Sequence, residues 1–179
     1  MRIVVIGNSG GGKSVLARRI AAELQLPCIE VDAILWRPGW QPTPADVYDR
    51  EHARLIAQAQ WVVDGLGTRE SIPQRLQRAT HIVLIDMALW VHFWLAAERH
   101  VDWLAGRLEH PPAASEAPAP LKGLFRTIAE VDRDWLPEIR RLVDEAEMGG
   151  KPVVRLTALA DLSSFHSSAL GSLRSTSPP

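Results

Sequence analysis

Three features of the 179-residue chain predict an α/β fold whose five-stranded parallel sheet is covered by helices on both faces, a three-layer α/β/α sandwich. Short apolar, β-branched runs recur along it, as strands buried on both faces require. The stretches between them carry apolar residues at helical spacing. The first four runs end at Gly7, Asp32, Asp64 and Asp86, which places small or acidic residues along the carboxyl edge of the sheet, where such folds bind ligands.

The elements follow in order. Ile3–Ile6 is a continuous β-branched run and reads as the first strand. Leu16, Ile20 and Leu24 then recur four residues apart with Ala17 and Ala21 beside them, a helix closed by Leu26-Pro27. Cys28–Val31 is the second strand, and residues 33–44, with Pro38, Gly39, Pro42 and Pro44, read as a loop. Thr43 as N-cap and Pro44 at the first helical position open a helix running toward Gln60. Trp61–Val63 is the third strand, a helical stretch lies near Pro73–Arg78, and His81–Ile85 is the fourth strand. Met87 to about Leu104 is an apolar helix, and Leu124–Ala146 is a second, kinked or split at Pro137. Gly149-Gly150 breaks the chain before a fifth strand, Pro152–Leu156, and Ala158–Leu162 begins a last helix. One domain over residues 1–165 is expected, with a Pro-rich, lid-like insertion at 106–123 and a mobile Ser/Pro-rich tail at 166–179.

Composition narrows the function classes. Twenty Lys and Arg against 21 Asp and Glu give a net charge of −1, which offers no electrostatic footprint for direct binding to nucleic acid or anionic lipid. A single cysteine, Cys28, excludes an internal disulfide framework and fits a reducing compartment. No stretch resembles a signal peptide or a membrane span, so a cytoplasmic protein without a membrane partner is expected. Seven of the eleven aromatic residues are Trp. Trp61 falls in a strand, and Trp90, Trp94 and Trp135 lie at helical spacings that read as core.

Gly7-Asn8-Ser9-Gly10-Gly11-Gly12-Lys13-Ser14 matches G-x-x-x-x-G-K-[ST] without a gap, between the first strand and the first helix. Glycines let successive backbone N–H groups curl around phosphate oxygens, and the helix after them points its unpaired N–H groups at the same anion. Lys13 suits the β- and γ-phosphates, and the Ser14 hydroxyl suits Mg²⁺. The chain is thus read as a P-loop NTPase fold that takes a nucleoside triphosphate. It lacks the N-K-x-D element of a guanine-specific GTPase and is too short for a motor or helicase, which favours a small phosphotransferase using ATP and Mg²⁺.

Four segments, MRIVVIGNSGGGKSVLARRIAAELQLP, EVDAILWRPGWQPTP, WVVDGLGTRES and HIVLID, resemble the adenylate-kinase-like P-loop proteins labelled DNA topology modulation (FlaR-type) proteins. The resemblance covers roughly residues 1–105, and its specific part is Asp32, Trp36, Arg37, Pro38, Gly39 and Trp40. It implies a nucleoside monophosphate kinase-like fold, ATP at the P-loop, and an acceptor held by the loops after strands two and three. It also implies that strand three lies beside strand one, which favours Asp64 over Asp86 as the carboxylate near Mg²⁺. Arg69 lies near where related kinases place an arginine on the acceptor phosphate.

Two departures from the family pattern stand out. Val15 replaces a Thr that offers a hydroxyl to the α-phosphate, and HPPAASEAPAP replaces a lid dense in arginines. Asp32 is a candidate to orient the acceptor hydroxyl or take its proton, or else a turn aspartate. Arg37 and Arg69 are candidate acceptor anchors or solvated cations. Of the cations flanking the Pro-rich stretch, Arg99 and Arg107 are the best lid candidates, ahead of Lys122, Arg126 and Arg133. Trp36 and Trp40 either pin their loop or wall a planar acceptor. His92 and His100 read as ordinary helix-face residues. The leading reading is an ATP-dependent kinase acting on a small-molecule acceptor. The alternative is a nucleotide-binding regulatory protein with little turnover.

Overall fold

The computed structural model describes residues 1–110 and 117–165, so the core of the Pro-rich stretch and the C-terminal tail lie outside the described residues. The principal sheet has five parallel strands, β1 (Arg2–Gly7), β2 (Cys28–Glu30), β5 (Trp61–Asp64), β6 (His81–Ile85) and β7 (Val153–Leu156), in the order β2-β5-β1-β6-β7. β5 therefore lies beside β1, with Val5 opposite Asp64. That neighbour relation brings the end of β5 next to the P-loop.

Successive residues of a strand face opposite sides of a sheet, and β1 feeds two cores accordingly. Val4 and Ile6 join Trp61, Val63, Ile82 and Leu84 on one side. There they are covered by α3 (Ala45–Ile56), α4 (Ser71–Arg78) and α7 (Leu136–Met148), through Ile56, Ile72, Leu76, Ile139 and Val143. Ile3 and Val5 join Val62, Val83 and Ile85 on the other side, under α1 (Lys13–Leu24), α5 (Leu89–Leu104) and the helical residues 159–165. The α/β/α sandwich expected from the strand runs is what forms.

Several local expectations need correction. Residues 33–44 are not a plain loop. The second strand stops at Glu30, α2 (Val31–Leu35) comes directly after it, and β3 (Trp36–Arg37) pairs antiparallel with β4 (Gln41–Pro42) in a small hairpin. Asp32 thus sits in the first turn of a helix. Thr43 does not cap α3. Its N–H closes the hairpin on the Leu35 carbonyl at 2.8 Å, and Pro44 becomes the cap residue, its carbonyl accepting from Val47 and Tyr48. The hairpin claims Thr43, so the helix begins one residue later than its polar signal.

Between α6 (Leu121–Glu130) and α7 runs a π-helical turn, Val131–Trp135. Pro137 is the second residue of α7, directly after the π turn, where it cannot donate to the preceding helical carbonyls. The helix is not split at Pro137 but runs on through it, and the expected irregularity takes the form of the π turn just before it. Trp90 and Trp94, expected in the core, are instead exposed on α5. Among the described residues no helix is long and apolar enough to cross a membrane.

Candidate active site

The P-loop joins β1 to α1. Gly10 and Gly12 hold φ of +76° and +77°, and a Cβ on Gly10 would lie 2.6 Å from the His92 carbonyl oxygen. Only glycine meets both conditions at Gly10. No acidic residue occupies the first turn of α1, so its positive end is unopposed. Asn8 is buried and braces the loop twice. Its Nδ2 donates to the Ile128 carbonyl of α6 at 2.9 Å, and its Oδ1 accepts from the Ser9 N–H at 2.7 Å. Lys13 is buried, and its Nζ donates to the Asn8 carbonyl at 2.8 Å.

His92, read from sequence as an ordinary helix-face residue, is fully buried beneath this loop. Its Nδ1 lies 3.1 Å from the Ser9 carbonyl oxygen, a group that can only accept, so the ring donates there. A trans peptide points its C=O and N–H in opposite directions. Pinning the Ser9 carbonyl on His92 therefore turns the Gly10 N–H toward the opposite side, away from α5. Burial lowers the His92 pKa, and the neighbouring Lys13 adds to this, so the ring is held neutral. Its signal in the sequence was periodicity: His92, Ala96, Arg99 and Trp103 form one stripe along α5.

Asp64 ends β5 and is almost wholly buried, with one carboxylate oxygen lacking any hydrogen-bond partner among the described residues. Burial pushes its pKa up to about 6 against the pull of Lys13 and of the Ser14 hydroxyl beside it. Lys13 is pushed the other way by burial, opposed by Asp64 and Asp32. A buried carboxylate oxygen without a partner, next to a Ser hydroxyl, supplies oxygen donors of the kind Mg²⁺ takes alongside phosphate and water, while the neighbouring Lys13 ammonium suits the phosphate oxygens. Asp86, the rival carboxylate, is committed elsewhere. Arg140 grips both its oxygens, at 2.7 to 3.1 Å.

Asp32 is tied to the loop after β5, its Oδ1 accepting from the Gly67 N–H at 3.4 Å. Arg99, on the outer part of α5, is brought to the same place. Crowding by the protein lowers its pKa and the Asp32 carboxylate works against that. It also bears on Lys13. Lys13 therefore lies within reach of the charges of Asp64, Asp32 and Arg99. Arg69 does not join them. Its guanidinium pairs with Glu138 of α7 at 2.7 Å, in a shallow cleft with Ile72, Trp135 and Ile139. Arg37 is exposed on the hairpin. Arg107 and Arg133 pair with Asp102 and Asp134 on their own segments, and Lys122 and Arg126 are exposed.

Trp36 and Trp40 pack on each other edge to face, 6.2 Å between ring centroids, and Trp40 leans on Trp103 of α5 at 6.5 Å. Through Trp40 the pair thus fastens the hairpin to α5. Val15 is exposed on α1 and cannot supply a hydroxyl.

One further residue escaped sequence reading. Arg75 is fully buried and, among the described residues, has no carboxylate hydrogen-bonded to it. Its guanidinium donates to the carbonyls of Gly65 and Leu66 and to Ser71 Oγ, which in turn lies 3.0 Å from Tyr48 Oη. It clamps the loop that leaves Asp64 and receives Asp32. Arg75 lies beside Leu76 and three residues after Ile72, on the apolar face of α4, the one signal that marked it.

Comparison with solved structures places this fold among P-loop kinases. The shikimate kinase of Aquifex aeolicus superposes with a TM-score of 0.54 at 17% identity, covering 97% of this chain and 96% of that one. A putative kinase from Chloroflexus aurantiacus gives 0.54 at 15% identity, over 99% and 98%. A protein from Eubacterium ventriosum gives 0.55 at 11% identity, over 98% of both chains. These likenesses define a kinase-type P-loop fold, and at such identities the fold alone. No protein-family model matches the sequence, and no curated protein matches it.

Proposed function

We propose that the chain is an ATP-dependent phosphotransferase that moves the γ-phosphate of ATP to a small-molecule acceptor. The observation that carries this reading is the trio of Lys13, Ser14 and Asp64 at the foot of the P-loop, with one oxygen of Asp64 buried and turned to no other partner among the described residues. Residues Gly7–Ser14 wrap the phosphates through their N–H groups, and Lys13 neutralises the β/γ end. Ser14 and Asp64 are the residues that would hold Mg²⁺, whose charge would offset that building up on the phosphate oxygens. Asp32 faces the mouth and orients the acceptor hydroxyl. Arg99 stands over the same mouth and steadies the negative charge that spreads through the transferred group. Trp36 and Trp40, fastened to Trp103, set the acceptor-side wall.

Arg69 and Arg37 remain acceptor anchors in this reading only if they turn inward, and for Arg69 that means releasing Glu138. The near-neutral charge and free Cys28 suit a cytoplasmic enzyme of small metabolites rather than a DNA-binding protein.

The test is an ADP-release screen over nucleotides and small hydroxyl-bearing metabolites, with Mg²⁺ and with EDTA. Stimulation by one acceptor class, lost in Lys13→Ala and in EDTA, is the expected result. Tight ATP binding with no acceptor-stimulated turnover would replace the kinase reading with a regulatory nucleotide-binding one.

A further inference from the structure

α5 has two working faces. One carries His92, Ala96 and Arg99 to the P-loop and the site mouth. The opposite face carries Trp90, Trp94, Ala97, Val101 and Leu104, and it is apolar over the whole length of the helix. Trp90, Trp94, Val101 and Leu104 are 66%, 63%, 58% and 68% exposed. Scattered apolar side chains on a surface need no explanation, but four large ones in one uncharged stripe do.

Their spacing states what kind of partner fits. The five positions succeed one another at intervals of four, three, four and three residues. That alternation is the narrow seam of helix-on-helix packing, whereas a helix lying on a sheet presents a broader face. The partner is therefore a helix with a matching seam.

We infer that this seam is the seat of a two-fold dimer of the chain, formed by α5 against α5 of a second copy in antiparallel orientation. The stripe is complementary to itself under such a rotation about its midpoint, Ala97. Trp90 then meets the second copy's Leu104, and Trp94 meets its Val101, so the bulky half of one stripe lies on the aliphatic half of the other. The smallest side chain falls at the crossing, where two backbones approach most closely. An isologous contact requires this self-complementarity. The area also suffices. Two tryptophans about two-thirds open, with Val101 and Leu104, offer roughly 500 Å² per copy and about 1,000 Å² for the pair, the lower end for a specific interface. The dimer is accordingly reversible. Because both faces belong to one rigid helix, pairing of the outer face steadies the inner face that supports the P-loop.

Sedimentation velocity of the full chain over a wide concentration range tests this, together with Trp94→Glu and Ala97→Arg. The expected result is a concentration-dependent dimer in the parent protein and monomers in both variants, with unchanged far-UV circular dichroism. A second measurement does not depend on disrupting the face. In a Cys28→Ser background, Ala97→Cys should form a disulfide-linked dimer on mild oxidation, while Met148→Cys, exposed on α7, should not. A parent protein that stays monomeric at all concentrations, as it would if its own chain covered the stripe, overturns the inference. So does a dimer that survives both variants, or equal cross-linking at 97 and 148. None of these outcomes bears on whether the P-loop binds ATP.

Discussion

Replacing Asp64 by Asn should make the protein more stable at neutral pH while ending metal-dependent turnover. The carboxyl is almost wholly buried, and its pKa stands at about 6 instead of 3.8, chiefly because burial disfavours the charge. A carboxyl raised in the folded state stabilises that state when protonated, and the benefit is lost as pH rises from the unfolded value through the folded one. The cost of ionising it at pH 7 and above is about 3 kcal/mol. Asn cannot ionise, so the variant escapes this cost. Urea denaturation in EDTA, run from about pH 4 to about pH 8, measures it. The advantage of Asp64→Asn over the parent should grow with pH across the window from 3.8 to about 6 and level off above it. A difference that stays flat with pH would show that the Asp64 carboxylate is well solvated, and no poised, unpartnered oxygen would then await a metal.

Further outcomes derive from the same geometry. Asp86→Asn should cost about 1 kcal/mol or less, since its Arg140 pair is partly exposed, and should leave Mg²⁺ dependence intact; loss of metal-dependent turnover would reassign the metal carboxylate. His92→Ala removes the donor to the Ser9 carbonyl and leaves a hole under Gly11. We expect ATP affinity by calorimetry to fall about tenfold, a loss of about 1.4 kcal/mol in line with one buried hydrogen bond, and unchanged affinity would refute the templating role. Gly7→Ala places a Cβ 2.2 Å from the Ile85 carbonyl oxygen at a φ of +152°, and should lower stability by about 3 kcal/mol or more, read as an earlier thermal midpoint. Arg75→Met should unfasten the Gly65–Leu66 turn and raise the acceptor KM before it affects ATP binding, which acceptor titration at saturating ATP would reveal.

What the sequence made legible, and what it hid, divides along a physical line. The strands were plain because β1, β5 and β6 are buried on both sides, so their central residues have no choice but to be apolar. The P-loop was plain because backbone geometry restricts its residues. Direction was harder. Periodicity shows that Trp90 and Trp94 share a face of α5, but α5 is apolar around much of its girth, so spacing alone could not say which face meets the sheet. The same ambiguity hid His92 on the inner face. The hairpin escaped because its strands are two residues each, shorter than any alternation can register. Arg69 shows a different limit. Its place in the chain matched an acceptor anchor, but only the packing of α7 brings up Glu138, 69 residues away, to compete for it.

The π-helical turn at Val131–Trp135 carries a consequence for how this scaffold tolerates change. A π turn holds one residue more than the α-helical turn it replaces, so it absorbs that residue without changing the rotational phase of the helices on its two sides. Upstream, Ile128 of α6 faces Asn8 of the P-loop; downstream, Arg140 of α7 faces Asp86 at the end of β6. Drawing the same residues into an unbroken α-helix would give a better local hydrogen-bond ladder. It would also turn α7 by about 100° relative to α6, carrying Arg140 away from Asp86 and Ile139 and Val143 out of the core. Deleting one residue of the turn would regularise the helix and keep both contacts, whereas a further insertion would disturb the P-loop brace and the Asp86 pair together.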